Sequence, residues 1–280
     1  MAREEGKKFV AKHTDGWATS VLSSNSQSRK LERHSNAVVI VAGAAGSLGF
    51  HLVVAFAEHP DVKTVVRVNR CSSWANRSIV IGRDRVGWLR QVHQALCNLL
   101  DLTREIAYHD ETMRAGFDLV SSIGVVGHVG EPRVIERCVP VAAVLPTGYC
   151  EVKWVCEPML DETLHRFPER FRIMAGRSRQ IAGLKLTEAS GIQSNISLSQ
   201  SNHRRGYASG PTLRGVLQWV PVNDVADTTV DLLAIGEADA PEPYPVYHID
   251  NPIGQPWKQM SPVLANALDI PLDRIMPFHG

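Results

Sequence analysis

Apolar residues along this chain fall into runs with two different periods. Ala37-Val38-Val39-Ile40-Val41-Ala42 is unbroken, as a parallel strand covered on both faces would be. From Phe50 to Glu58 the apolar positions Leu52, Val53, Phe56 and Ala57 return at helical spacing and stop before Pro60. Thr64–Arg70 predicts a second strand, so strand, turn, helix and strand fit one βαβ unit of about 30 residues. Ser78–Ile81 predicts a short strand, and Leu89–Ile106 an amphipathic helix with Val92, Leu96, Leu99 and Leu100 on one side. Phe117–Ser122 predicts the next strand, Tyr149–Leu164 a long helix, and Arg172–Ala175 another strand. Order returns at Leu217–Val222, where Asn223-Asp224 is the expected cap of a helix through Leu233. Tyr247–Ile249 predicts a strand and Trp257–Leu268 a final helix.

The pattern fails in two places. Residues 1–36 are polar and predict a mobile arm, with room for a short helix. Residues 185–215 include the serine-rich run Ser190–Asn202 and predict a loop or disorder. The expected organisation is therefore an arm (1–36), a dinucleotide-binding domain (37–183) and a smaller, partly irregular substrate lobe (184–280). The fold class is α/β, a doubly wound, Rossmann-type, mostly parallel sheet.

Composition narrows the function. At 280 residues and 44% hydrophobic the chain can bury one sizeable core. A net charge of +1 supplies no field for nucleic acid or an anionic membrane. Five cysteines without a repeated C-x-x-C predict a reduced compartment, neither a disulfide framework nor a metal site. The polar N-terminus lacks a secretory h-region and no window reaches the ~18 apolar residues of a membrane helix. A cytoplasmic location is expected. Nothing in the sequence fixes an oligomeric state.

Three patches carry chemistry. Gly43, Gly46 and Gly49 follow a buried strand and open a helix, in the spacing G-x-x-G-x-x-G. Such a turn lets backbone N–H groups and a helix N-terminus cradle a pyrophosphate; the bland alternative is a plain connection. Gly43, Gly46, Ser47, Leu48 and Gly49 are the candidate contacts. Arg70 ends the second strand, where an arginine favours the 2′-phosphate of NADP, unless it is simply a solvated strand end. Tyr149 and Lys153 are i and i+4, hence on one helical face. A lysine beside a phenol is expected to lower the phenol pKa, so that Tyr149 acts as the acid, with Ser122 hydrogen-bonding the same substrate oxygen. Read alone, Y-x-x-x-K usually marks an exposed helix face. Cys150 has no histidine partner set by spacing and reads as a packed thiol.

The chain resembles the thioester (carboxylic acid) reductase domains that end fungal nonribosomal-peptide-synthetase-like enzymes, members of the extended short-chain dehydrogenases/reductases. Val41–Gly49, Val65–Arg70, Phe117–Gly127, Leu145–Arg170, Gln180–Gly183, Trp219–Ala226 and Val246–Phe278 carry the resemblance. It implies NADPH-dependent reduction of a carrier-protein-bound thioester or a small carbonyl compound, releasing an aldehyde or alcohol in secondary metabolism. It also implies a Ser122, Tyr149 and Lys153 triad, with Lys153 touching the cofactor ribose. The stretch 71–121 departs from the pattern. Two strands and three crossover helices should take roughly 75–90 residues there. Arg177-Ser178-Arg179-Gln180 stands where the family has Arg-x-Gly-Gln. The expectation is a stand-alone, internally shortened relative. The alternatives are a non-catalytic remnant and an isomerase or dehydratase without net redox change.

Overall fold

The computed structural model describes residues 37–69, 85–109, 115–183 (Pro132 apart), 210–212, 216–235, 245–267 and 275–277, with Pro271 and a few positions between 8 and 17. The chain divides into two compact units, Met1–Ser178 with Ala226–Ile249, and Arg179–Val225 with Asp250–Gly280. The sequence pattern instead ran the first domain without interruption to 183.

In the first unit, β1 (Ala37–Ala42) and β2 (Val62–Val68) pair in parallel, Val39 opposite Val65 and Val41 opposite Arg67. The crossover between them is α1 (Ser47–Glu58), which buries Leu52 and Phe56. These pack with Val39, Val41, Val62 and Val65 in one small core. The opposite face of this sheet presents Val38, Ile40, Val66 and Val68 to solvent. An unbroken apolar run predicts cover on both faces; this pair of strands has it on one.

The second sheet is also parallel, in the order β3 (Ala115–Ser122), β4 (Phe171–Ser178), β7 (Val246–Ile249). Helix α2 (Arg85–His109) precedes β3 in the chain, and α3 (Gly148–Glu162) lies between β3 and β4. They close the main core with Leu96, Leu100, Val152, Val155, Met159, Leu160, Phe171 and Ile173. Burial of this many aliphatic and aromatic side chains, each worth about 1.5–3 kcal/mol, makes this the stable part of the unit. The periodicity places both helices and β3 within a few residues of their observed ends.

The expected arm contributes to this core. Trp17 is buried, its ring about 6 Å from those of Phe167 (6.1 Å) and Phe171 (6.0 Å), with the Arg104 guanidinium over it at 5.9 Å. One aromatic in a polar stretch carries no periodicity, so the pattern missed it.

Among the described residues, β1–β2 and β3–β4–β7 are separate sheets. A doubly wound fold continues one sheet from its first strand to the strand bearing Ser122. Much of the chain between those strands, 70–84 and 110–114, lies outside the described residues. The expected strand at Ser78–Ile81 lies outside the described residues.

The second unit is smaller. β5 (Gly210–Thr212) pairs with β9 (Ile275–Pro277), and β6 (Val216–Leu217) with β8 (Gln255–Pro256). β5 falls inside the stretch 185–215 expected to be irregular; the rest of that stretch, the serine-rich run included, lies outside the described residues. Helix α4 (Val222–Ile235) starts before the expected cap, so Asn223 and Asp224 sit in its first turn, where an acidic residue suits the helix dipole. Its continuation in the first unit buries Ala226 and Val230 against α1 and β1. Helix α5 (Trp257–Ala267) matches the final periodic segment. Arg179 pairs with Asp250 at 2.7 Å.

Candidate active site

The glycine turn is built for close backbone approach. Gly43 has φ +80°, a left-handed conformation that costs other residues energy. A Cβ on Gly49 would lie 2.2 Å from the Gly43 carbonyl oxygen, and one on Gly46 would lie 3.3 Å from it. The turn is held from β2: the Asn69 side chain accepts a hydrogen bond from the Ala45 N–H at 2.7 Å. Gly46 caps α1 without a side-chain hydrogen bond, and the first turn carries no acidic residue. The N–H groups of Ser47, Leu48 and Gly49 thus open α1 with no side-chain cap, as a pyrophosphate requires. These features fit a dinucleotide. Asn69 escaped the sequence pattern because its role is to brace a turn 24 residues away. Arg70 lies outside the described residues.

The second patch forms at the C-terminal end of β3. Ser122 accepts a hydrogen bond from the Gly124 N–H at 3.2 Å and caps the 3₁₀ turn Ile123–Val126. Thr147 caps α3 in the same way, accepting from the Cys150 N–H at 3.3 Å. Gly124 is required where these turns meet. A Cβ there would come 2.4 Å from Cys150 Sγ. This close approach brings Tyr149 to Ser122, with which its hydroxyl is hydrogen-bonded. Cys150 is buried, a packing thiol as the sequence suggests.

The Tyr149 side chain is 43% exposed, open to an incoming molecule. Lys153 is one turn further on. Its ammonium donates to the Val120 carbonyl at 2.7 Å and stands 5.9 Å from the Tyr149 ring centroid. The expected lowering of the phenol pKa is absent from this arrangement. Desolvation of the hydroxyl holds Tyr149 above its ordinary value, followed by the nearby Cys150, while the Ser122 hydrogen bond pulls it down. Lys153 is itself lowered by burial, with Cys156, Asp118 and Glu157 opposing the shift. The ammonium is engaged with β3, so it tunes the phenol less than i, i+4 spacing implies.

Two acidic side chains near Lys153 were not anticipated. Asp118 on β3 is pushed up to about 7, chiefly by burial, against a hydrogen bond from the Gly176 backbone and the charge of Lys153. Its Oδ1 has no hydrogen-bond partner among the described residues. Glu157, a further turn along α3, is buried against Arg177 at 2.7 Å. Neither shows in the sequence, because an isolated carboxylate in an apolar segment has no motif. Among the described residues no cluster of His, Cys, Asp or Glu could hold a metal ion, and no helix is long and apolar enough to cross a membrane.

The chain matches no family model. It is 41% identical over 346 aligned positions to a non-reducing polyketide synthase of Aspergillus terreus, covering 97% of this chain and 12% of that protein. Similar matches are the iterative polyketide synthase afoE of Emericella nidulans (38%; 97% and 12%) and the non-reducing polyketide synthase SAT8 of Stachybotrys chartarum (38%; 88% and 12%). The chain thus spans about an eighth of these relatives' length. Its alignment to the first occupies more positions than the chain has residues, so the relatives carry internal segments that are missing here.

Among solved structures it is similar to the terminal R domain from the myxalamid PKS-NRPS biosynthetic pathway (TM-score 0.58, 16% identity, 95% of this chain and 78% of that one). RMD from Pseudomonas aeruginosa, solved with NADPH, is equally similar in fold (TM-score 0.58, 17%, 89% and 86%). UDP-glucose 4-epimerase follows (TM-score 0.54, 16%, 87% and 86%). The fold is the Rossmann-type fold of the short-chain dehydrogenases/reductases. Over almost its whole length the chain is similar to one segment of these fungal polyketide synthases, and it is shorter internally than that segment.

Proposed function

We propose that this chain is an NADPH-dependent reductase acting on a thioester or carbonyl intermediate, held on a carrier protein, in secondary-metabolite biosynthesis. The observation that carries the reading is the Ser122–Tyr149 hydrogen bond at the end of β3, with Lys153 one turn behind it. A nicotinamide cofactor would supply hydride when bound. Gly43, Gly46, Ser47, Leu48 and Gly49 would hold its pyrophosphate by main-chain N–H groups, Lys153 would reach its ribose, and Arg70 would select the 2′-phosphate.

The chain's own residues govern the proton. Tyr149, kept protonated by its raised pKa, delivers its hydroxyl proton to the substrate oxygen. Ser122 donates a second hydrogen bond to that oxygen and fixes the carbonyl against the phenol. The Lys153 ammonium favours the phenolate left behind. The similarity to polyketide synthases supports a carrier-bound substrate, and the reductase and NADPH-bound structural neighbours support the reductive chemistry.

A titration of NADPH against NADH, read as thermal stabilisation, tests the cofactor. At a hundredfold excess over Kd the stabilisation expected is about 2.7 kcal/mol, and absence of any NADPH shift in folded protein refutes the reading. A second reading, a non-catalytic remnant, is favoured by the internal length this chain lacks relative to its polyketide-synthase relatives. Turnover without NADPH consumption would instead mark an isomerase or dehydratase.

A further inference from the structure

Behind the candidate triad lies a buried ionic network that the reductive chemistry does not use. Glu157 and Arg177 are both inaccessible and meet through two prongs, Arg177 Nε to Oε1 at 3.0 Å and Nη2 to Oε2 at 2.7 Å. Ser121 donates to the same Oε1 at 2.7 Å. Arg177 Nη1 stands 3.4 Å from His248 Nε2, and the His248 backbone N–H donates to Glu136 Oε1 at 2.6 Å. The network ties α3 to β3, β4 and β7 at once.

Removing two charges from water costs several kcal/mol per ion, and apolar pairs of equal volume are often as stable or more so. Stability alone therefore does not account for this pair. Its location suggests what it does. Glu157 lies one turn beyond Lys153 and two beyond Tyr149 along one stripe of α3. Pro158 follows it and has no N–H to give the Trp154 carbonyl, so the helical ladder is interrupted there. A helix weakened at 158 can roll or bend about that point. A two-pronged contact at 157 fixes direction as well as distance.

We propose that Glu157, clamped by Arg177, is the positioning residue of this site: it sets the roll of α3 that aims Tyr149 and Lys153 at the end of β3. The assignment rests on the reductase reading for its activity arm only. Glu157 also acts on Lys153 as a charge. The groups facing the ammonium are Asp118 from β3 and Tyr149, Cys156 and Glu157 from α3. Of these, Asp118 and Glu157 are the acidic residues that favour its protonated form.

Three variants of the full chain test this. Glu157→Met with Arg177→Met removes both charges together and is expected to stay folded, to bind NADPH within about threefold of wild type, and to lose about 10–100-fold in kcat for NADPH-driven reduction of a small aldehyde. Arg177→Lys keeps the charge but loses the second prong, and is expected to lose kcat in the same direction if the double variant does not fold. Glu157→Gln removes a counter-charge, so the pKa of Lys153, followed by NMR of 13C-labelled lysine and assigned through Lys153→Met, is expected to fall by about half a unit or more.

An unchanged Lys153 pKa in Glu157→Gln, or kcat within threefold of wild type in Arg177→Lys, overturns the assignment. Failure of the reductase reading has a different signature: wild-type protein then shows neither NADPH binding nor turnover, while the Lys153 titration still responds to Glu157→Gln.

Discussion

Gly49 sits so close to Gly43 that any side chain on it would strike the Gly43 carbonyl oxygen, the built Cβ lying 2.2 Å away. The atom struck is backbone, which cannot swing aside. Gly49→Ala is therefore expected to displace the turn, to destabilise the protein by about 1–3 kcal/mol, and to weaken NADPH binding at least tenfold. Gly116→Ala is the control. A Cβ there meets nothing within 4 Å, so urea unfolding should move by no more than about 0.5 kcal/mol. Equal effects in the two variants would refute a special role for the turn.

Tyr149→Phe separates chemistry from folding. The residue is 43% exposed and loses one hydrogen bond, that with Ser122, so stability should fall by no more than about 1 kcal/mol. The rate of NADPH oxidation with an aldehyde should fall about 10²–10⁴-fold, with NADPH affinity preserved. A loss of affinity without loss of kcat would place the phenol outside the proton path.

Asp118 gives the protein a pH dependence of known sign. Its pKa is raised from 3.8 in the unfolded chain to about 7 in the fold, so the folded state binds more protons between those values. Stability is then greatest at low pH as far as this group is concerned, and is lost as pH rises through about 7. The change is of the order of 4 kcal/mol, fully expressed above about pH 7. Asp118→Asn should flatten the urea midpoint between pH 5 and pH 8. The same slope in the variant would show that another group is responsible.

Thiol chemistry checks the packing around α3. Cys156 is pushed up to about 12, first by burial, and Cys97 is raised for the same leading reason. Both are buried, as is Cys150, whereas Cys138 is exposed. Among these four, alkylation of native protein at neutral pH should label Cys138 first. The other three should react at the rate of global unfolding. Early labelling of Cys156, read by peptide mass, would contradict the core described for α3.

Much of this was legible in residue order. The unbroken run ending at Ala42 and the helical spacing from Phe50 place β1 and α1, because one-dimensional period maps directly onto burial. Ser122, Tyr149 and Lys153 could be singled out as candidates because a serine at a strand end and a Y-x-x-x-K on a helix are short patterns. What escaped depends on contacts between distant positions. Trp17 docks on Phe167, Asn69 braces Ala45, and Glu157 meets Arg177, pairs whose partners share no spacing rule. The engagement of Lys153 with the Val120 carbonyl was equally invisible, as was the desolvation that raises the phenol pKa instead of lowering it. The shortage of length between Arg70 and Ser122 was countable from sequence, whereas the pairing of β1 with β2 and of β3 with β4 and β7 among the described residues needed coordinates.

Ser121 and Ser122 are chemically identical neighbours on β3 that point to opposite faces, one toward Glu157 and the other toward Tyr149. Their division of labour depends on β3 keeping Ser121 opposite Arg177 and Ser122 opposite Ser178. Sliding that strand by a single residue would exchange the two hydroxyls, taking the one that meets Tyr149 into the interior and leaving the buried carboxylate without its donor. The alignment of one ladder thus decides which of two serine oxygens stands beside the phenol.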